Sequence, residues 1–188
     1  MRKPTRNELN IFYRASNHWG IFSIVNNELL LIKEDTIKKQ KRKLLFLISK
    51  NLENLVFFQP TYRAGLFLGT ISIKKFYPSF PFFYLVSKFG INYPFVIINE
   101  EAEILFLYGR DVLGDSILEC SSGLKENCLV SIMNKNKEPL GVGRTRFSDD
   151  DITKKGKITI SNLMDLGLYH RNENKNNQSS FDLSYFLD

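Results

Sequence analysis

The spacing of apolar positions predicts a helix at the start of the chain. Thr5 and Glu8 form a capping-box pair, in which a hydroxyl and a carboxylate satisfy each other's backbone amides. Gly20 supplies a stop signal. Between these points, four side chains recur at helical spacing: Leu9, Phe12, Tyr13 and Ser16. We therefore expect the helix to begin after Thr5 and to end before Gly20.

Two short apolar runs follow, at residues 28–33 and 43–48, and both have the length of a strand. The residues between them end in the basic stretch 38–43, which we interpret as part of a long hairpin loop. A helix across residues 34–50 is an alternative that periodicity does not exclude.

The next segments alternate between the two types of element. Residues 51–58 indicate a helix that stops before Pro60. Residues 64–73 are β-rich, and glycines within them indicate bulges or a close backbone approach at Gly65 and Gly69. An apolar helix is predicted over residues 82–88.

The pattern of apolar and polar positions changes near residue 91, which indicates a second domain. The pattern predicts strands over residues 92–98, 128–133, 139–147 and 157–161, and helices over 100–108 and 163–171. Residues 172–188 begin with an almost wholly polar stretch that carries no pattern, and we expect a mobile tail. The predicted domains are therefore residues 1–91 and 92–171.

Charge separates the two halves more sharply than hydropathy does. The net charge is +6, but residues 1–90 hold 15 Lys and Arg against 5 Asp and Glu, whereas residues 91–188 hold 11 against 15. This asymmetry indicates a polyanionic partner for the first half. A lysine-rich genome is the alternative explanation.

Catalytic, metal-binding and cofactor-binding patterns are not visible. His18 and His170 have no nucleophile motif around them, and Cys120 and Cys128 fit neither a zinc motif nor a disulfide framework. The acidic run Asp149–Asp151 is typical of a solvated loop. No signal peptide or membrane span is expected, so the sequence predicts a non-enzymatic, cytoplasmic protein without a cofactor.

Three segments of the second half occur in an order that resembles the PUA domain, a small β-barrel-like RNA-binding module. They are residues 102–113, containing Phe106-Leu-Tyr-Gly and Asp111-Val-Leu, then Glu138-Pro-Leu-Gly-Val-Gly, then Met164-Asp-Leu-Gly-Leu-Tyr-His-Arg. In the first half, Gly65-Leu-Phe-Leu-Gly-Thr-Ile and Phe76-Tyr-Pro extend the resemblance to the Nip-seven family of ribosome-biogenesis factors, in its archaeal form.

The resemblance implies an α+β protein with an N-terminal α/β domain around an antiparallel sheet and a C-terminal PUA domain. It also implies a role in maturation of the large ribosomal subunit. The implied partners are precursor ribosomal RNA, in single-stranded segments, and ribosome-assembly proteins, exosome components among them. In a eukaryotic source the location would be nucleolar.

Candidate RNA-contacting residues follow from strand spacing and from position in the family. Arg144 and Arg146 lie two apart on a predicted strand and therefore on one face. The family places basic contacts in the region that holds Lys154, Lys155 and Lys157. Further candidates lie at turns and at the end of the domain: Arg110, Arg171, Arg63, Lys74 and Lys75.

Two rival functions share part of this evidence. A PUA-bearing translation or RNA-modification accessory protein would resemble the second half but not the first. A protein–protein scaffold would keep the fold and lack RNA binding.

Overall fold

Two separate sheets organise the chain in the computed structural model, which describes residues 1–37, 40–58, 64–90, 93–168 and 171. The sheets belong to two compact units, Met1–Ile91 and Asn92–Asp188. The predicted α+β fold class is confirmed. The predicted tail, residues 172–188, lies outside the described residues.

The N-terminal unit contains an antiparallel sheet of four strands in the order β1-β2-β3-β4. Its elements are α1 (Arg6–His18), α2 (Phe22–Val25), β1 (Leu29–Ile37), β2 (Gln40–Ile48), a 3-10 turn (Lys50–Leu52), α3 (Glu53–Phe58), β3 (Leu66–Ile71), β4 (Phe76–Pro78) and α4 (Phe80–Phe89).

Helix α1 begins as the capping box predicts. The Glu8 amide donates to Thr5 Oγ1 at 3.4 Å, and the Thr5 amide donates to Glu8 Oε2 at 2.7 Å. Phe12 is fully buried, and its ring meets Phe76 edge-on at a centroid distance of 5.1 Å. The aromatic residues around α1 and α4 therefore form part of the core.

Glu8 also anchors an ion cluster that sequence reasoning missed. Its carboxylate is only 5% exposed and accepts from Arg2 and Lys43, each at 2.8 Å. Arg2 in turn pairs with Glu34 at 2.8 Å. The hydrogen bond from Arg2 lowers the pKa of Glu8 far below its usual value. The cluster therefore ties the start of the chain and α1 to the β1–β2 hairpin.

The β1–β2 hairpin is longer than the sequence pattern predicts. Pairing runs from Leu29 opposite Ile48 to Ile37 opposite Gln40, so the predicted long loop is wrong and the alternative helix over 34–50 is excluded. The polar ends remain paired because opposite charges face each other across the strands, Glu34 opposite Lys43 and Asp35 opposite Arg42.

The predicted irregularity in β3 is confirmed at Gly69. The register between β2 and β3 shifts there, because Leu45 lies opposite Gly69 and Phe46 lies opposite Phe67. Gly69 has a φ of +148°, and a Cβ at this position would collide with the carbonyl oxygen of Tyr77. The predicted helices after β2 and β4 are also confirmed, as α3 and α4.

The C-terminal unit is built on six strands in the order β6-β10-β9-β8-β5-β7, in which the β5–β8 pair is parallel. Its elements are β5 (Phe95–Ile98), α5 (Glu100–Leu107), β6 (Val112–Leu113), a 3-10 turn (Gly114–Ser116), β7 (Ile117–Cys120), β8 (Leu129–Met133), β9 (Pro139–Thr145) and β10 (Ile158–Asp165).

Helix α5 agrees with the prediction, and its N-cap is Asn99, whose side chain accepts from the Ala102 amide at 2.9 Å. Ala102 and Phe106 face a core that includes Val96, Ile132 and Ile160.

The predicted helix over 163–171 is wrong at its start, because β10 continues to Asp165 and pairs Met164 with Val142 of β9. Sheet pairing overrides the helical spacing here. Strands β6 and β7 were not predicted.

None of the helices in the described ranges has the length and apolar character needed to cross a membrane.

Candidate nucleic-acid interface

The end of β9 carries the two arginines that the sequence places on one face. Arg144 lies opposite Ser161 of β10, and Arg146 follows the last residue of β9. Arg146 Nε donates to Ser161 Oγ at 2.8 Å, and its guanidinium pairs with Asp111 at 2.9 Å. Arg146 is therefore engaged, whereas Arg144 forms no ion pair among the described residues.

The three predicted lysines lie in a turn that is fixed against the 3-10 turn at 114–116. The Gly156 amide donates to Asp115 Oδ2 at 2.7 Å, and the Gly114 amide donates to the Lys157 carbonyl at 2.9 Å. Lys154 Nζ lies 3.3 Å from Asp151 and 5.9 Å from the centroid of the Phe147 ring. The turn is thus held close to the residues that follow β9.

Lys155 and Lys157 differ from Lys154 because both are exposed and neither forms an ion pair within the described part of the chain. Acidic side chains pair with two of the cations on this surface: Asp111 pairs with Arg146, and Asp151 pairs with Lys154. The surface is therefore of mixed charge, with its available positive charge concentrated at Arg144, Lys155 and Lys157.

Arg110 lies at the turn after α5, and its side chain is exposed. Asn162 holds the backbone of this turn, since its Nδ2 donates to the Phe106 carbonyl at 2.9 Å and its amide donates to Asp111 Oδ1 at 2.8 Å. Sequence reasoning missed Asn162. The available signal was weak, a single polar residue between a predicted strand and a predicted helix.

The guanidinium of Arg171 is already paired within the domain, although its side chain is 33% exposed. Its guanidinium pairs with Asp165 at 2.7 Å, and it donates to the carbonyl of Leu107 at the end of α5. The side chain of Asp165 is 5% exposed. We therefore correct the assignment of Arg171: it neutralises a buried carboxylate and caps a helix.

In the N-terminal unit, Lys74 and Lys75 lie in the turn between β3 and β4. The Ser72 amide donates to the Lys75 carbonyl at 2.9 Å and closes the turn. Both lysines are exposed, and Ile73 beside them is 91% exposed. Arg63 lies outside the described residues.

Within the described ranges, no group of three or more His, Cys, Asp or Glu side chains is arranged to hold a metal ion. Cys120 and Cys128 are free thiols. Burial raises the pKa of Cys120, which makes its reactive thiolate harder to form.

Comparisons with known proteins bear on the C-terminal unit first. Residues 94–174 match the family described as the UPF0113 PUA domain. The chain is 29% identical over 174 residues to a UPF0113 protein of Archaeoglobus fulgidus. This alignment covers 92% of this chain and 95% of the relative. A UPF0113 protein of Aeropyrum pernix is 33% identical over 111 residues, 58% of each chain. The predicted PUA domain is confirmed.

A solved structure extends the likeness along most of the chain. A conserved PUA domain protein from Thermoplasma acidophilum is similar with a TM-score of 0.62 over 88% of this chain and 93% of that chain, at 15% identity. At this identity the likeness concerns the fold.

Proposed function

We propose that this protein binds RNA through its PUA domain and has no enzymatic activity of its own. The observation that carries the proposal is a set of three cations, Arg144, Lys155 and Lys157, on a domain that matches the PUA family and without an ion pair in the described part of the chain. Lysine and arginine side chains contact phosphates, and they release counterions when they do so. Lys155 and Lys157 are exposed and Arg144 is half-buried, and because none of them forms an ion pair among the described residues, they are available for such contacts at little cost.

The acidic groups nearby limit what kind of contact is possible. Asp111 and Asp151 lie beside Arg146 and Lys154, so these two cations exchange one anionic partner for another when they meet phosphate. We expect the affinity to rest on Arg144, Lys155 and Lys157. Because phosphate contacts carry no base identity, the interface should show little sequence preference.

A salt titration tests the proposal. Binding of single-stranded RNA is measured at several salt concentrations for the wild type and for Lys155→Ala/Lys157→Ala. Each lost phosphate contact should reduce the slope of log affinity against log salt by about 0.7. The slope of the double variant should therefore be smaller than that of the wild type by about 1.4.

The matched control is Lys135→Ala/Lys137→Ala, which removes the same charge from the turn between β8 and β9, at the other end of these strands. The control should keep the wild-type slope. An equal loss of slope in both variants would mean that net charge acts at long range and that this turn is not the contact.

The specific role that we propose is ribosome biogenesis, with precursor ribosomal RNA of the large subunit as the ligand and assembly proteins, including exosome components, as partners. The proposal rests on the resemblance of both halves to the Nip-seven family and places the protein in the cytoplasm, or in the nucleolus of a eukaryote. Its test is affinity purification from native lysate followed by sequencing of the bound RNA. Large-subunit precursors should be enriched over mature ribosomal RNA and transfer RNA, and enrichment of transfer RNA would instead favour a translation or modification role.

A further inference from the structure

The outer side of α5 is apolar, although it faces solvent. Ala102 and Phe106 point into the core and are 6% and 1% exposed. On the other side, Ile104 is 59% exposed and Leu105 53%, and Tyr108, the C-cap residue directly after the helix, is 71% exposed. A surface helix normally carries polar side chains on its outer side. We call Ile104, Leu105 and Tyr108 the α5 outer face.

These three side chains form one continuous strip. Residues three or four apart lie side by side on a helix, so Tyr108 neighbours both Ile104 and Leu105. The strip ends abruptly because Gly109 follows with a φ of +85° and stops the helix. A second helix that lies along α5 could cover the whole strip with one of its faces, in the manner of helix-in-groove recognition.

Charges at the two ends of the strip are opposite. The N-terminal end holds Glu100, with a side chain 78% exposed, and Glu101, which is exposed and pairs with no cation in the described ranges. Among the described residues, Glu100 pairs with the exposed Lys135, at 3.1 Å. The exposed Arg110 follows the C-terminal end. A complementary ligand therefore has basic side chains beside the first turn of α5.

The composition of the strip disfavours RNA and a second copy of this chain. Tyr108 could stack on one base, but Ile104 and Leu105 provide no stacking platform for its neighbours, and the glutamates repel phosphates. A stable dimer buries about 800 Å² on each partner, much more than three side chains offer. A single amphipathic helix needs only such a strip.

We propose that the α5 outer face docks an amphipathic helix of a partner protein, whose apolar side meets Ile104, Leu105 and Tyr108 and whose basic residues meet Glu100 and Glu101. This inference does not depend on RNA binding. It assigns the partner-protein contact of the C-terminal unit to a surface other than the cations after β9.

The probe is a synthetic helical peptide of about 18 residues with leucine along one side and lysine elsewhere, added to the isotopically labelled full chain. Backbone amide shifts in the NMR spectrum should change within residues 100–110. A peptide with glutamate in place of lysine should bind at least about tenfold more weakly. Shifts that cluster elsewhere, or equal binding of the acidic peptide, would overturn the proposal.

Two variants matched in residue type and exposure locate the contact. Leu105→Ser removes a leucine of the strip, and Leu118→Ser removes a leucine of β7 that is also 53% exposed. Leu105→Ser should lower the affinity for the basic peptide about tenfold, and Leu118→Ser should leave this affinity unchanged. Equal effects would show that the peptide binds nonspecifically and would overturn the proposal.

Two further measurements identify the other occupants. If sedimentation shows a dimer that Leu105→Ser dissociates, a second copy covers the strip and the partner-protein proposal fails. If single-stranded RNA shifts the amides of residues 100–110 in the same way as the peptide, RNA is the occupant and the proposal fails. A protein that binds the peptide at α5 but binds no RNA would refute only the proposed RNA-binding function.

Discussion

Among the described residues, some cations of the C-terminal unit pair with acidic side chains of the same unit, and others do not. The cations without such a pair are the ones that can bind a ligand. Arg171 compensates Asp165, a carboxylate that is almost wholly buried, whereas Arg110 lies at an exposed turn. A sequence gives both residues the same charge. Only the contacts reveal that Arg171 contributes to stability and that Arg110 remains available.

Arg171→Met should therefore destabilise the protein without changing its binding to RNA. Removing the guanidinium leaves Asp165 buried without its cation, which we expect to cost about 3 kcal/mol in the free energy of unfolding. Urea titration measures this cost, with the exposed Arg110→Met as the control, expected within about 0.5 kcal/mol of wild type. A reduced salt slope for RNA binding in Arg171→Met would restore its assignment as an RNA contact.

Glu8 makes stability depend on pH in the acidic range. Hydrogen bonds from Arg2 and Lys43 lower its pKa in the folded state, while in the unfolded chain the pKa is about 4.3. Between these two values the unfolded state binds more protons than the folded state does. The stabilisation from Glu8 is therefore complete above about pH 5 and is lost progressively as the pH falls through the folded-state pKa.

Glu8→Gln should lower the free energy of unfolding by about 2 kcal/mol at pH 7. At pH 3 its difference from wild type should narrow by more than about 1 kcal/mol, since the wild type has lost part of its ionic stabilisation. Glu34→Gln is the matched control, because Glu34 shares the partner Arg2 but is 57% exposed, and its cost should stay below about 1 kcal/mol. A constant difference between pH 7 and pH 3 would contradict this interpretation of Glu8.

At the scale of elements, the sequence predicted best where a local signal decides the structure. The capping box at Thr5 depends on adjacent backbone, and the irregularity at Gly69 was indicated by the glycine itself; both predictions were confirmed. The predictions failed where pairing between distant residues decides. The polar half of β1–β2 and the end of β10 are strands because of their cross-strand partners, which single-sequence periodicity does not contain.

The candidate site follows the same division. Strand alternation predicts that Arg144 and Arg146 share one side, but it could not predict that Arg146 pairs with Asp111, 35 positions away along the chain. The roles of Asn162 and Arg171 likewise depend on the end of α5, which lies more than 50 positions away along the chain. Charge and spacing could identify the cations, and only the fold could show which of them are occupied.

Gly141 shows how one element shapes another. It lies in β9 opposite the Phe106 ring of α5, and a Cβ there would lie 2.7 Å from that ring and closer still to the Met164 carbonyl oxygen. Gly141→Ala should therefore destabilise the C-terminal unit by about 2 kcal/mol through overpacking. Gly123→Ala is the control, because nothing lies within 4 Å of its Cβ position and only its φ of +73° costs energy, about 1 kcal/mol. Thermal unfolding of the two variants compares the costs, and a smaller cost at Gly141 would contradict the packing argument.

At the scale of the whole molecule, the positive charge resides mainly in the half that does not match the PUA domain. Residues 1–90 carry a net charge of +10, and residues 91–188 carry −4. Three of the five acids in the first half, Glu8, Glu34 and Glu53, form ion pairs with cations of the same unit. Many cations of the N-terminal unit therefore have no acid to compensate them, so this unit can by itself attract a polyanion such as RNA.

The turn between β3 and β4 is where we expect such a polyanion to make contact, because Lys74 and Lys75 are adjacent and exposed there. Lys74→Ala/Lys75→Ala should reduce the slope of log RNA affinity against log salt by about 1.4. This reduction should add to that caused by Lys155→Ala/Lys157→Ala. Lys50→Ala/Lys88→Ala, which removes two exposed lysines elsewhere in the same unit, separates contact from long-range attraction and should change the slope little. If the Lys74 and Lys75 variant behaves like this control, the N-terminal unit acts only through its overall charge, and the contacts to phosphate are confined to the PUA domain.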